Sequence, residues 1–201
     1  MHDRASAAID VRIPAALLPD AIRELPVPAL LPVRSRRDDR PLGDPRASVR
    51  DALGARLDED GASDLSGRRV GLGLGSRGLG AYPELVAGAL DALRARGAVP
   101  VLLPAMGSHG GGTPEGQTAV LRDYGLLQDG LALDASDASR EVGRLDDGTP
   151  LHASEAALAL DRIVLLNRVK SHTSFRGAVE SGLAKMLVVG LGKRAGAAAL
   201  H

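Results

Sequence analysis

The 201-residue chain contains no cysteine and carries no net charge. The absence of cysteine excludes disulfide bonds and thiolate metal sites, so a metal would need histidine, carboxylate or a sulfur brought by a cofactor. Acidic and basic residues number 25 each, and this balance gives no reason to expect nucleic acid or an anionic membrane as a partner. A small molecule is therefore the expected partner.

The first residues, "MHDRASAAIDVRIP", have no continuous apolar run. A signal peptide or a membrane span needs such a run, so neither is predicted and a cytoplasmic location is expected. With 44% hydrophobic residues, the chain has enough apolar material to bury a core of one domain or slightly more.

Lysine is scarce: the chain contains only Lys170, Lys185 and Lys193, and all its other basic residues apart from histidine are arginine. The single asparagine, Asn167, and the single phenylalanine, Phe175, lie in the same stretch. A lysine amine can lose its proton and form covalent bonds, which a guanidinium cannot do. We infer that this stretch requires amine chemistry.

The hydrophobic pattern predicts an extended N-terminal segment and linker over residues 1–45 and an α/β domain over residues 46–201. Within the second part, strands alternate with apolar helices, and Asp44-Pro45 is a typical helix start. This order predicts a mainly parallel sheet with helices on both faces, in a Rossmann-like arrangement. The strands are "RRVGLGL", "VPVLLPA" and "LDRIVLLNRV", and the helices include "YPELVAGALDALRARG", "TPEGQTAVLRDYG" and "AVESGLAKMLVVGLGK".

Each of these strands runs into a polar loop, "GSRGLG", "GSHGGG" or "KSHTSFRG". The carboxyl ends of parallel strands lie at one edge of a sheet, so Arg77, His109 and His172 are expected to converge on one crevice. Two imidazoles on opposite sides of a substrate carbon, one removing a proton and the other returning it, suit racemisation.

Two nucleotide motifs fit poorly. Gly73, Gly75 and Gly78 match G-x-G-x-x-G after a strand, but the next strand lacks the acidic residue that would hold a ribose, and Arg77 lies inside the loop. "LVVGLGKR" lacks the first glycine of a phosphate loop and has Arg194 in place of a magnesium-binding hydroxyl. An ordinary dinucleotide or P-loop site is therefore not predicted.

Three longer motifs, "PAMGSHGGGTPEGQ", "NRVKSHTSFRGAVESGLAKM" and "GLGKRAGAAALH", resemble the nickel-dependent lactate racemase family. The likeness extends from about residue 67 to the last residue. In that family a nickel pincer nucleotide, supplied by dedicated cofactor-synthesis enzymes, is tethered to a lysine, and a histidine also holds its nickel. The resemblance implies a racemase or epimerase that transfers a hydride between a 2-hydroxy acid and this cofactor.

Carried over to this chain, the resemblance makes Lys185 the tethering residue and His201 the nickel ligand. It makes His109 and His172 the acid and base groups, and it assigns the substrate carboxylate to Arg77, whose guanidinium offers a fork of donors. Gly110 and Gly111, beside His109, would let the main chain approach the cofactor closely.

Some features depart from the family pattern. The adjacent glycines expected before the lysine are replaced in "ESGLAK", and Leu74 stands where an acidic residue is expected, so the identity of the hydroxy acid stays open. The family continues into a second domain, so this chain is expected to be an incomplete portion that is inactive alone, with His201 at an exposed end. The alternatives are a non-catalytic α/β module that binds a nucleotide or phosphate, and a structural fragment with solvated histidines.

Overall fold

The alternation of strands and helices predicted from Asp44 onwards is present in the structure, a computed structural model that describes residues 42–170 and 181–200. These residues belong to one compact unit, Pro41–His201. The predicted N-terminal segment lies outside the described residues as far as residue 41. The helices are α1 (Pro45–Glu59), α2 (Tyr82–Arg94), α3 (Pro114–Asp123), α4 (Glu155–Leu158), α5 (Leu183–Lys185) and α6 (Lys193–Leu200). The strands are β1 (Arg69–Leu74), β2 (Val99–Pro104), β3 (Ala132–Leu133), β4 (Ser139–Arg144), β5 (Pro150–Ser154) and β6 (Arg162–Leu166).

Four of the described strands form one sheet in the order β3-β2-β1-β6, and all of its pairings are parallel. Leu74 at the end of β1 is in register with Pro104 of β2 and with Leu166 of β6. The carboxyl ends of β1, β2 and β6 therefore coincide at one edge, as the predicted topology requires. The parallel, Rossmann-like α/β prediction is confirmed.

The two faces of the sheet are packed differently because β1 alternates leucine or valine with glycine. Leu72 and Leu74 are fully buried on one face, where they pack with α2 and α3. On the other face, a Cβ at Gly71 would lie 2.6 Å from Leu103 Cδ1, and one at Gly73 would lie 2.6 Å from Leu165 Cδ2. The glycines thus leave room for leucines of the flanking strands, and α4 with Met186 completes this second layer. The prediction of helices on both faces is confirmed.

Local signals in the sequence account for the helix starts. The Asp44 side chain accepts a hydrogen bond from the Ala47 amide at 2.9 Å, with proline in the first turn of α1. Thr113 caps α3 in the same way, accepting from the Gly116 amide at 3.1 Å. Such caps satisfy amides that have no partner within the helix. The predicted starts at Asp44-Pro45 and Thr113-Pro114 are therefore confirmed.

The single apolar helix predicted for "AVESGLAKMLVVGLGK" is wrong over its described part. The chain there forms the short α5, continues as a π-helical turn at Met186–Gly190 and begins again as α6 at Lys193. The interruption coincides with Lys193, whose φ of +56° lies outside the right-handed helical region. Gly190 packs closely against the residue that follows β2, since a Cβ there would lie 2.6 Å from the carbonyl oxygen of Ala105.

A second sheet, the antiparallel pair β4-β5, follows β3. Hydrophobic periodicity did not indicate this hairpin, because β4 is largely exposed. The Ser154 amide at the end of β5 donates to the Leu191 carbonyl at 2.7 Å, so the hairpin adjoins the turn that precedes α6. None of the described helices has the length and apolarity that crossing a membrane requires.

Candidate functional site

A crevice of about 170 Å³ lies at the carboxyl ends of β1, β2 and β6. Its walls come from the loops that follow these strands and from the segment that contains α5 and the π-helical turn. Parallel α/β sheets commonly bind ligands at this edge. The polar side chains on its lining belong to Ser76, Arg77, Ser108, His109, Asn167, Arg168, Lys170, Ser181 and Lys185.

Positive charge dominates the crevice. Arg77, Arg168, Lys170 and Lys185 all line it, and its lining contains no aspartate or glutamate among the residues described. The chain as a whole is neutral, so the charge is concentrated here rather than general. Such a cavity favours an anionic ligand, because carboxylate or phosphate groups would meet donors and positive charge together.

Lys185 lies half-buried in this wall. Burial, together with the positive charges of Lys170 and Arg77, lowers the pKa of the Lys185 amine below its ordinary value. All three causes disfavour the ammonium form. A larger fraction of this amine is therefore unprotonated at neutral pH than of an ordinary lysine, which makes it a better nucleophile.

The His109 side chain is held by a residue of the loop that follows β1. Its Nδ1 lies 2.6 Å from the Ser76 hydroxyl oxygen, and both residues line the crevice. A hydrogen bond at one ring nitrogen restricts the rotation of the imidazole, and the serine hydroxyl can be its donor or its acceptor. Ser76 was not among the residues predicted for the site, since neither its type nor its spacing distinguishes it from a loop serine.

The loop that carries Ser76 and Arg77 is itself supported by the two tyrosines of the chain. The Tyr82 hydroxyl donates to the Gly75 carbonyl at 3.2 Å, and the Tyr124 hydroxyl donates to the Ser76 carbonyl at 3.1 Å. Their rings are 5.7 Å apart between centroids and tilted by 56°. Burial raises the pKa of Tyr82 to about 12, so its hydroxyl remains a donor at physiological pH.

The glycines around His109 let its loop pack closely against neighbouring backbone. Gly107 has a positive φ of 60°, and a Cβ there would lie 3.1 Å from the Val189 carbonyl oxygen. Gly110, with φ of 64°, packs against the first turn of α3, where a Cβ would lie 2.7 Å from the Gly116 carbonyl carbon. A side chain at either position would be strained and crowded.

Gly110 and Gly111 do not belong to the described residues that line the crevice, and a Cβ at Gly111 would have open space around it. Their contact with a cofactor stays a prediction. The glycines nearest the cavity are instead Gly75, Gly182 and Gly190.

Asn167 contributes an unusual polar atom to the wall. Its Nδ2 donates to the Arg168 carbonyl at 3.3 Å, whereas its side-chain oxygen is buried without a hydrogen-bond partner among the described residues. An unsatisfied buried acceptor is costly. A donor that arrives with a ligand, after a small rotation of the amide, would satisfy it.

The structure brings Arg77, His109 and Lys185 together in the crevice, although they are far apart in the sequence. His172 and His201 lie outside the described residues, so their predicted roles and the predicted facing of His172 toward His109 stay predictions. In residues 42–170 and 181–200, no group of three or more histidine, aspartate or glutamate side chains is placed to hold a metal ion.

Comparison of the chain with protein-family models, with curated proteins and with solved structures finds no match.

Proposed function

We propose that the protein is a nickel-dependent 2-hydroxy acid racemase or epimerase whose cofactor, a nickel pincer nucleotide, is attached to Lys185. The observation that carries the proposal is the crevice in which the Lys185 amine, the His109 imidazole and the Arg77 guanidinium line one positively charged cavity. Two of the motifs that resemble the racemase family contain His109 and Lys185, and Arg77 lies upstream of them, within the stretch from about residue 67 over which the likeness extends.

The described residues fit such a cofactor. Lys185 offers an amine of lowered pKa, as covalent attachment at neutral pH requires. Arg168 and Lys170 bring further positive charge for the phosphate and carboxylate groups of a nucleotide derived from nicotinic acid. The side-chain oxygen of Asn167, which has no hydrogen-bond partner among the residues described, would accept a hydrogen bond from a bound ligand.

In the proposed reaction each residue of the chain has a defined task. Arg77 binds the substrate carboxylate through its donors, which fixes the hydroxyl-bearing carbon in the crevice. His109, held at Nδ1 by Ser76, takes the proton of the substrate hydroxyl, and His172 has the same task on the opposite face. A bound cofactor would supply a reversible hydride acceptor beside that carbon.

Mass spectrometry tests the proposal directly. After co-expression with the cofactor-synthesis enzymes, the intact protein should carry a mass increase that peptide mapping assigns to Lys185, and it should contain nickel. Lys185→Arg should lose both, whereas Lys170→Arg, which alters another lysine of the same crevice, should retain the adduct. An unmodified, nickel-free wild-type protein from the same cells would contradict the assignment.

The charge of the crevice also supports the second candidate, a non-catalytic module that binds a nucleotide or phosphate. That function needs the cations but neither histidine. Calorimetry with a mononucleotide distinguishes the two candidates. Binding that persists when both His109 and His172 are replaced by alanine, without an adduct on Lys185, would favour the module.

A further inference from the structure

Lys193 is a buried amine outside the crevice lining. The residue is 2% exposed, and its Nζ donates to the Pro104 carbonyl at 2.9 Å and to the Gln117 side-chain oxygen at 3.4 Å. In the described part of the chain no carboxylate forms an ion pair with it. Burial lowers its pKa, while the more distant charges of Asp134 and Asp137 act in the opposite direction. A buried lysine without a paired carboxylate is expensive and calls for an explanation.

The backbone of Lys193 is also exceptional. Its φ is +56°, in the left-handed region that side chains other than glycine, asparagine and aspartate seldom adopt. The residue lies at the first position of α6, immediately after Gly192. Backbone strain of this kind persists only where surrounding contacts fix the residue. Burial of the amine and the strained backbone thus both destabilise the folded state at Lys193.

Gln117, the side-chain partner of Lys193, contacts the loop that carries His109. Gln117 is 2% exposed, and its Nε2 donates to the Gly107 carbonyl at 2.9 Å and to the His109 carbonyl at 3.2 Å. A lysine ammonium has donors only, so it fixes the amide with the oxygen toward Lys193. The amide nitrogen must then face the two carbonyls of the loop.

The backbone of the His109 loop is held on a second side as well. The Gly107 amide donates to the Gly190 carbonyl at 3.1 Å, which joins the loop to the π-helical turn. Gln117 fixes the loop carbonyls from α3, and Lys193 in turn connects Gln117 to the end of β2 and to α6. The position of the imidazole in the crevice follows from this backbone placement.

We propose that Lys193 is a positioning residue that orients Gln117 and thereby places His109 in the crevice. This inference concerns the free protein and does not depend on the identity of the ligand, so it is tested without cofactor or substrate.

Nitrogen-15 NMR of the histidine rings provides the readout, with His109 assigned by comparison with His109→Gln. Lys193→Met keeps an apolar stem of similar length but removes the donors, so the Gln117 side-chain oxygen loses this partner and the amide is held only by the two loop carbonyls. We expect the His109 Nδ1 resonance and the Gly107 and His109 amide resonances to shift. Unchanged resonances in the folded variant would overturn the proposal.

Gln117→Glu separates orientation from stability. It keeps an acceptor for Lys193 and pairs the buried ammonium with a charge, but it replaces the donor to the loop carbonyls with an oxygen. The variant should fold and still shift the His109 resonances. Leu93→Ala, in a separate core cluster that includes no residue of α3 or of the His109 loop, is the control, because it should lower the unfolding midpoint without moving them.

The wild-type protein gives an independent test. Both protons of the Gln117 side-chain amide should exchange slowly with solvent, since both are engaged with loop carbonyls and the residue is 2% exposed. Rapid exchange, or a His109 ring that responds to Leu93→Ala as strongly as to Gln117→Glu, would show that Lys193 has only a structural role.

Discussion

The hydroxyl oxygen of Ser76 and Nδ1 of His109 are 2.6 Å apart, across two strand loops that are separated by more than thirty residues of sequence. This contact restricts the rotation of the His109 ring, and the hydroxyl can donate to Nδ1 or accept from it. Ser76→Ala removes this partner and should therefore shift the Nδ1 resonance, while the free energy of unfolding falls by less than about 1 kcal/mol because the pair is exposed. The measurement is the nitrogen-15 shift of both ring nitrogens, about two pH units above the ordinary histidine pKa.

Ser108→Ala is the matched control, because Ser108 is adjacent to His109 and lines the same crevice. Its removal should leave both ring shifts close to those of the wild-type protein. Identical His109 spectra in the wild-type and Ser76→Ala proteins would mean that the serine does not hold the ring.

The lowered pKa of Lys185 predicts a measurable reactivity. Burial is the largest cause, followed by the charges of Lys170 and Arg77, so Lys170→Met should raise the Lys185 pKa toward its ordinary value. At neutral pH less unprotonated amine would then be present, and acetylation of Lys185 by acetic anhydride should be roughly two- to fivefold slower. Peptide mass spectrometry over a pH series gives the rate and the apparent pKa.

The reagent is uncharged, so removal of a cation does not change its local concentration. Arg168→Met removes a different positive charge from the crevice, one that does not contribute to the Lys185 shift, and should leave the rate almost unaltered. Equal rates in Lys170→Met and the wild type across the pH series would contradict the electrostatic explanation.

The order of strands and helices was predictable because it follows from local periodicity and from local helix starts. The apolar runs that end at Leu74, Pro104 and Leu166 are strands, and the parallel topology then places the following loops at one edge. Arg77 and His109 could therefore be brought together by sequence reasoning alone. Lys185 was identified by the resemblance and by the scarcity of lysine.

The contacts that position these residues were not predictable, because they join distant segments without a local signal. Gln117 reads as an ordinary helix residue, yet it links the His109 loop to Lys193, 76 positions away. Gly71 and Gly73 belong to a strand and make room for leucines, a packing requirement that periodicity cannot distinguish from a ligand-binding loop. The close packing of Gly190 against the Ala105 carbonyl likewise joins segments that are distant in the sequence.

The raised pKa of Tyr82 predicts a loss of stability in strongly alkaline solution. Its ordinary pKa is 10.0, and burial raises the pKa in the folded protein to about 12. The folded state thus favours the neutral phenol, and this contribution is fully present below pH 10 and is lost as the pH rises through about 12. Tyr82→Phe removes the titrating group, so the stability difference between the two proteins should change by on the order of 2 kcal/mol over this interval.

Urea unfolding followed by circular dichroism, at intervals from neutral pH upward, measures that difference. Comparison of the two proteins at each pH cancels the titration of lysine and arginine residues, which both share. Parallel stability curves for the wild type and Tyr82→Phe would show that the phenol titrates alike in the folded and unfolded chains.

Gly190 joins the π-helical turn to the end of β2, and an added methyl group should separate them. A Cβ there would lie 2.6 Å from the Ala105 carbonyl oxygen and 3.0 Å from its carbon, so the backbone itself must move. Gly190→Ala should destabilise the fold by about 1–3 kcal/mol and weaken the hydrogen bond from the Gly107 amide to the Gly190 carbonyl. Gly80→Ala, where a Cβ meets nothing within 4 Å, should be nearly neutral. Urea unfolding gives the stabilities, and amide exchange at Gly107 should accelerate only in Gly190→Ala; equal exchange in both variants would exclude this contact as the anchor of the His109 loop.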